Sequence, residues 1–138
     1  MNLFFDTNVV LDVFAQRRPF YDDSARVWAL AERGKVRGLV SAVSMTTFYY
    51  VVRKFSSRPG AIEMLHAVRG CVAFAPCDGA VLNQAIDAAF EDFEDAVQYF
   101  SAVAAGADVL VTRNTGHFPS DKLPVMTPRA LLAAHSFE

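Results

Sequence analysis

The strongest constraint on the fold is a repeated alternation of short apolar runs with longer segments of helical periodicity. The apolar runs have the length of buried strands, and the segments between them carry apolar residues at helical spacing. Strands that alternate with helices of about 10–15 residues indicate a parallel sheet with helices packed on both faces. We therefore predict an α/β fold, a three-layer α/β/α sandwich with a central parallel sheet. The predicted strands are residues 3–5, 38–41, 71–74, 108–112 and 125–126.

Length and composition are those of one ordinary globular domain. The chain has 138 residues, of which 53% are apolar and 20% are charged, and no linker or repeat divides it. A chain of this size buries enough surface for one core, and its apolar content excludes extended disorder. We expect a single domain over residues 1–138. The net charge of −2 excludes a basic nucleic-acid coat, while the twelve Phe residues suggest an apolar surface that faces a second copy or a partner.

The sequence also bears on cellular location. The amino-terminal residues contain no basic region, and an acid already stands at Asp6, so a signal peptide is not expected. The most apolar stretch, residues 96–111, is interrupted by polar side chains and does not fit a membrane span. Cys71 and Cys77 match neither a disulfide framework nor a zinc or redox motif. We expect a cytoplasmic protein with free thiols and no membrane partner.

Polar side chains directly follow three of the predicted strands. In an open parallel sheet, ligands bind outside the carboxyl ends of the strands, where the strand order reverses. These side chains are therefore predicted to meet at one functional edge of the sheet. They are Asp6, Thr7 and Asn8 after the first strand, Ser41 after the second, and Thr112, Arg113 and Asn114 after the fourth.

Asp6 comes immediately after three apolar residues, which places its carboxylate at the rim of a buried sheet. A charge buried there without a partner is costly, so we expect a cation or hydrogen bonds beside it. The alternative is a turn-forming residue that only shapes the transition from strand to helix. Asn8 is predicted to cap the helix that follows.

Residues 91–95 form the densest acidic cluster of the chain. Asp92 and Asp95 stand three positions apart, so both project from one face of a first helical turn. A structural explanation is available, because acids in a first turn cap the helix and complement its dipole. If Asp6 lies at the same edge, however, the converging carboxylates repel one another, and Mg²⁺ or Mn²⁺ removes that conflict. Such an ion can activate water for attack on a phosphodiester.

The order of these motifs resembles a known family. Asp6-Thr7-Asn8 begins a D-T-N-x-x-L-D motif, residues 92–96 read D-F-E-D-A, and Thr112-Arg113-Asn114 follows the fourth strand. Together they are similar to the motifs of PIN-domain nucleases, above all the VapC-type toxins of prokaryotic toxin–antitoxin pairs. The resemblance covers nearly the whole chain.

The resemblance implies a ribonuclease that depends on Mg²⁺ or Mn²⁺ and hydrolyses RNA phosphodiester bonds with metal-activated water. It also implies a homodimer and an antitoxin protein as partner. The implied roles are metal binding for Asp6, Asp92 and Asp95, and orientation of water or phosphate for Thr112 and Asn114. Asn8 and Ser41 would support the Asp6 carboxylate, and Arg113 would contact RNA.

The chain departs from the family pattern at three positions. Thr47 stands where many members carry a Glu on the third helix, Asn114 is an amide in place of an acid, and His117 precedes Phe118 where an acid is often found. We therefore expect weaker metal binding, and Thr47 is kept as a residue near the site. Glu94 is predicted to be a solvated acid, because an ideal helix directs it about 100° away from its neighbour Asp95.

Two alternatives stay open at this level. One is a PIN-fold module that is weakly active or inactive and binds RNA or protein. The other retains metal-dependent hydrolysis but acts on a small phosphoester.

Overall fold

A computed structural model describes residues 1–137 and shows strands alternating with helices along the chain. None of the helices in that range is long and apolar enough to cross a membrane. In chain order the elements are β1 (Asn2–Phe5), α1 (Thr7–Phe14), α2 (Tyr21–Glu32), β2 (Arg37–Ser41), α3 (Ser44–Phe55), α4 (Arg58–Cys71), β3 (Val72–Ala75), α5 (Gly79–Ala88), α6 (Phe93–Ala104), β4 (Val109–Val111), a 3₁₀ turn (Thr115–His117), β5 (Val125–Met126) and α7 (Pro128–Ala134).

The five strands form one parallel sheet with the order β3-β2-β1-β4-β5, which confirms the predicted fold class. The order reverses between β1, the central strand, and its neighbour β4. Their register pairs Phe5 with Val111, and the Asp6 backbone N–H donates to the Val111 carbonyl at 2.9 Å. The residues that follow these two strands therefore start from adjacent points at the carboxyl edge of the sheet.

Alternating side chains of β1 place one hydrophobic core on each face of the sheet. Leu3 and Phe5 belong to a cluster that contains apolar residues of α1, α2, α3, α4 and α7. Phe4 belongs to a second cluster, with Leu110 of β4 and Tyr99 of α6. All of these strand side chains are fully buried. Because a strand directs successive side chains to opposite faces, this alternation produces the three layers.

The first helix begins two residues earlier than the sequence indicated. Asp6, rather than Asn8, is the N-cap of α1, and its carbonyl accepts from the backbone N–H of Val9 at 3.0 Å. The Asp6 side chain makes no capping hydrogen bond. The carboxylate is therefore not used to stabilise the helix that it precedes. The predicted caps Asp78 and Asp92 are both confirmed.

Gly38 on β2 offers a test of how tightly the sheet packs against its helices. A Cβ at this position would lie 2.7 Å from Val72 Cγ1 and 3.0 Å from Phe5 Cε2. We expect Gly38→Ala to lower the free energy of unfolding by about 1–3 kcal/mol through overpacking. Gly70→Ala is the matched control, because Gly70 lies in α4 with nothing within 4 Å of its Cβ position. That change should raise stability by about 0.5–1 kcal/mol. Urea unfolding of both variants measures the difference, and equal stabilities would contradict the packing described.

Candidate active site

Asp6 lies at the point where the strand order reverses, and Thr112 of the segment after β4 holds it there. The residue is only 4% exposed, and Thr112 Oγ1 donates a hydrogen bond to Asp6 Oδ2 at 2.8 Å. The same Thr112 oxygen accepts from the backbone N–H of Asn114 at 3.2 Å. Thr112 is itself fully buried, so the carboxylate has a fixed orientation. The expected hydrogen bond to Asp6 is present.

The pKa of the Asp6 carboxyl group is raised from 3.8 to about 6. Burial is the largest cause, and the negative charges of Asp95 and Glu94 raise the pKa further. The hydrogen bonds from Thr112 and from the Thr7 backbone oppose the shift. Asp6 is thus close enough to two acids of α6 to respond to their charge.

The first turn of α6 carries these acids. Asp92 is the N-cap, and its Oδ1 accepts from the backbone N–H of Asp95 at 3.1 Å. Asp95 is half-buried, and burial followed by the charge of Asp92 raises its pKa, with His117 acting in the opposite direction. Asp92 therefore contributes both as a cap and as a negative charge beside Asp95. A direct metal contact by Asp92 stays a prediction.

His117 is a partner of Asp95 that the sequence argument did not identify. Its Nδ1 lies 3.2 Å from Asp95 Oδ2, at the end of the 3₁₀ turn that follows β4. The two side chains border an open cleft of about 360 Å³, which Glu91, Asp92 and Gly116 also line. The only signal in the sequence was the position of His117, where an acid is common in the resembled family.

Glu94 is exposed as expected, yet it is not independent of the site. Burial by the surrounding protein, followed by the charges of Asp92 and Asp95, raises its pKa. It also raises the pKa of Asp6 and lines a cavity of about 240 Å³ together with Thr47 of α3. The prediction of a solvated acid in the first turn is confirmed, and the structure adds the electrostatic effect of Glu94 on Asp6. The sequence argument used only the angle between neighbouring residues of one helix. It could not include the position of α6 relative to β1 and α3, on which the effect of Glu94 on Asp6 depends.

Neither of the two residues predicted to fix the Asp6 carboxylate makes that contact. Asn8 Oδ1 instead accepts from Arg17 Nη1 at 3.4 Å. Ser41 is fully buried, and its hydroxyl has no hydrogen-bond partner among residues 1–137. The reason lies in the strand order: β1 is bonded to β4 as well as to β2, and the side chain that reaches Asp6 comes from the β4 side.

A buried polar network beside the site was also missed. Thr7 Oγ1 lies 3.0 Å from Ser44 Oγ, which accepts from Gln98 Nε2 at 2.9 Å. All three residues are buried. The network joins the starts of α1 and α3 to α6, and it therefore helps to set the position of the α6 acids relative to Asp6.

Arg113 lies against a buried carboxylate that the sequence argument had not selected. Asp12 of α1 is fully buried, and its Oδ2 lies 3.4 Å from Arg113 Nε while its Oδ1 lies 3.6 Å from Arg17 Nη1. Burial raises the pKa of Asp12, and the guanidinium groups of Arg113 and then Arg17 oppose that shift. The signal was an acid within the apolar residues of α1. An RNA contact by Arg113 stays a prediction.

The donor set fits a hard divalent cation better than any other group. Within residues 1–137 no three His, Cys, Asp or Glu side chains stand together as a ready-made metal site. Mg²⁺, however, commonly uses one or two carboxylates and completes its shell with water and phosphate. Asp6 and Asp95 carry carboxylate oxygens of the kind that such an ion prefers. Burial is the largest cause of the raised pKa of each group, and neighbouring acids raise both pKa values further, so a bound cation would favour the charged forms.

The amino-acid sequence is similar to one protein family and to a relative of known name. The PIN domain family matches residues 2–116. "Ribonuclease VapC1" of Aquifex aeolicus (strain VF5) is 29% identical over 130 residues, covering 91% of this chain and 89% of that protein.

Solved structures share the fold. VapBC2 from Rickettsia felis, bound to a DNA fragment from its promoter, has a TM-score of 0.66 at 15% identity, covering 91% of this chain and 97% of the other. A toxin–antitoxin complex from Klebsiella pneumoniae has a TM-score of 0.65 at 21% identity, with the same coverage. The Sarcin-Ricin loop cleaving toxin VapC20 of Mycobacterium tuberculosis has a TM-score of 0.64 at 13% identity, covering 86% and 91%.

The raised pKa of Asp6 predicts a specific dependence of stability on pH. With a pKa of about 6 in the folded state and 3.8 as its usual value, the folded protein binds more protons between these two pH values. The contribution of Asp6 to the free energy of unfolding therefore falls by on the order of 2–3 kcal/mol as the pH rises from about 4 to about 6. Asp6→Asn should remove that part of the dependence and be more stable than the wild type at pH 7. Urea unfolding in EDTA across this range measures it.

The control for this measurement is Asp87→Asn, which alters an exposed acid of α5. This variant should keep the wild-type pH dependence. Identical profiles for Asp6→Asn and the wild type would show that Asp6 titrates near its usual value.

Proposed function

The chain belongs to the PIN domain family, and from this membership we propose that it is a metal-dependent ribonuclease of VapC type. Its relative from Aquifex aeolicus is named a ribonuclease, and a structural neighbour is described as a Sarcin-Ricin loop cleaving toxin. The observation that carries the proposal is the buried Asp6, held by Thr112 and coupled by charge to Asp95 and Glu94. This cluster lies where a parallel sheet presents its ligand site.

Asp6 and Asp95 are the residues that would hold Mg²⁺ or Mn²⁺, with Asp92 as the third proposed ligand. Glu94 adds negative charge on the side of Thr47, where the resembled family often has an acid on the third helix. The ion would activate water and stabilise the charge that develops on the phosphodiester. The protein supplies the electrostatic attraction for the ion and the orientation of its carboxylate ligands.

Three polar contacts keep these ligands in place. Thr112 orients Asp6 from β4, the Asp92 carboxylate bonds the backbone at Asp95, and His117 contacts the Asp95 side chain. Asn114 follows on the same segment and is exposed, so its amide can contact a phosphate or a water molecule at the cleft. Partners that orient metal ligands commonly change metal affinity or activity by about 10- to 100-fold when removed.

We also propose protein partners for this chain, an antitoxin and a second copy of itself. One structural neighbour is a toxin–antitoxin complex, and another is VapBC2 bound to a DNA fragment from its promoter. The surface of residues 1–137 exposes several large apolar side chains to water, which is unfavourable, and a partner would bury them. Among the most exposed are Tyr50 and Phe55 of α3, Ile86 of α5 and Phe93 of α6.

A PIN-fold module without catalysis is the second candidate, and it has specific observations in its favour. Thr47 and Asn114 lack the charge that the family often has at these positions, and no ready-made cluster of three metal ligands exists among residues 1–137. This candidate predicts RNA or protein binding that needs no metal, with no turnover.

Cleavage of RNA should require a divalent ion and the acids of the cluster. We expect purified protein to cleave single-stranded or structured RNA in Mn²⁺ or Mg²⁺ but not in EDTA. Asp95→Asn should reduce the rate by at least about 100-fold, since it removes a ligand rather than a supporting partner. Asp87→Asn, the same change on an exposed acid of α5, should retain full activity. Cleavage that survives Asp95→Asn would place catalysis elsewhere.

Metal binding can be measured without any substrate. Because a ligand that binds only the folded state stabilises it, Mn²⁺ should raise the Tm of the wild type in a concentration-dependent manner. Asp6→Asn and Asp95→Asn should abolish most of that increase, and Asp87→Asn should not. RNA binding in EDTA together with an unchanged Tm in Mn²⁺ and no cleavage would support the inactive module instead.

A further inference from the structure

A second cluster of charges lies outside the carboxylate site, on the side of Asp12. The Asp12 carboxylate is fully buried between the guanidinium groups of Arg17 and Arg113, at 3.6 and 3.4 Å. Asp12 is held by charge alone, because within residues 1–137 neither of its oxygens has a hydrogen-bond partner. One carboxylate thus serves two arginines, and both arginine side chains are partly exposed, at 34% and 24%.

The cluster retains positive charge after its ion pairs are counted. Arg129 of α7 is nearby and pairs with Asp23 through Nε at 3.1 Å. Three guanidinium groups are therefore balanced by two carboxylates, which leaves one positive charge at the surface. A region of this kind attracts anions, whereas the acids around Asp6 attract cations.

An apolar cavity opens beside these arginines. It has a volume of about 290 Å³, and its walls include Phe20, two prolines, Arg113 and the Arg129–Asp23 ion pair, whereas Arg17 is not part of the lining. The Arg113 guanidinium lies over the Phe20 ring, with its Cζ 4.2 Å from the ring centre. Aromatic rings and guanidinium planes are the surfaces on which proteins stack unpaired RNA bases.

The position of the cavity relates it to the carboxylate site. Arg113 directly follows Thr112, which bonds to Asp6, and the same segment continues to His117 at the acidic cleft. Consecutive Cα atoms are about 3.8 Å apart. Arg113 in the cavity wall and Thr112 beside Asp6 are therefore direct neighbours in the chain.

We propose that this cavity binds one nucleotide of the RNA substrate, next to the phosphate that is cleaved. The inference rests on the proposed ribonuclease function and names the contacts that hold the RNA at that site. The base packs against Phe20 and the prolines, and its phosphate faces Arg113 and Arg129. The ion pair with Asp12 and the contact with the Phe20 ring hold Arg113 in the cavity wall.

The test is nucleotide binding to the full-length protein in EDTA, which prevents metal-dependent cleavage. The probes are adenosine 5′-monophosphate and uridine 5′-monophosphate. Their binding is measured from the NMR resonances of the Phe20 ring and the Arg113 Nε–H group. Ribose 5-phosphate, which lacks the base, is the comparison. We expect both resonances to shift with the nucleotides, and we expect binding of ribose 5-phosphate to be about tenfold weaker or more.

Variants assign the effect to the cavity. Phe20→Leu keeps an apolar side chain and should weaken nucleotide binding by about tenfold. Arg129→Gln should weaken it as well, whereas Arg18→Gln removes the same charge from an exposed residue that pairs with Asp22 outside the cavity lining. Arg18→Gln should bind like the wild type. Thermal unfolding of each variant checks that the fold is retained.

Several outcomes would overturn the inference. Unchanged nucleotide affinity in Phe20→Leu and Arg129→Gln would do so, as would equal binding of ribose 5-phosphate. Shifts of Phe20 and Arg113 with a tetrapeptide of Asp and Glu, but not with nucleotides, would assign the cavity to a protein partner. Metal-dependent RNA cleavage with no nucleotide binding here would overturn this inference alone. Nucleotide binding here with no cleavage would overturn the proposed function alone.

Discussion

The hydrogen bond from Thr112 to Asp6 is the contact on which the site depends. It joins the ends of β1 and β4, the two strands between which the order of the sheet reverses. Burial of Asp6 opposes its ionisation, and Thr112 offsets part of that cost by donating to the charged form. Because both residues are buried, the bond also fixes the direction of the carboxylate. The α6 acids then act on a group whose position is already set.

The segment after β4 contacts three different carboxylates. Thr112 and His117 contact the acids Asp6 and Asp95, while Arg113 contacts the buried carboxylate of Asp12. The same short segment therefore borders the proposed cation site through Thr112 and His117 and the proposed nucleotide cavity through Arg113. RNA hydrolysis at a metal centre needs both kinds of charge.

The sequence predicted the fold and the location of the site, but not all the contacts within it. Strand ends follow from apolar runs and their polar neighbours, so the meeting of Asp6 and Thr112 at one edge could be expected. Partner choice depends on which strands are adjacent and how each helix is rotated, and that is why Asn8 and Ser41 were assigned contacts that they do not make. Asp12 was overlooked because only the folded protein brings Arg113 next to an acid of α1.

Thr47 and Asn114 lack charges that the family often has at these positions, and this difference affects the expected metal affinity and the pKa of Asp6. A carboxyl group with a pKa of about 6 is roughly 90% ionised at pH 7, so at that pH a cation displaces few protons from it. An additional acid at Thr47 or Asn114 would increase the attraction for metal, but its charge would also raise the pKa of Asp6 towards neutrality. Without those charges, Asp6 ionises more readily near neutral pH, and fewer carboxylates would attract the ion of the proposed metal site. The lower charge at Thr47 and Asn114 would therefore weaken metal binding without preventing it.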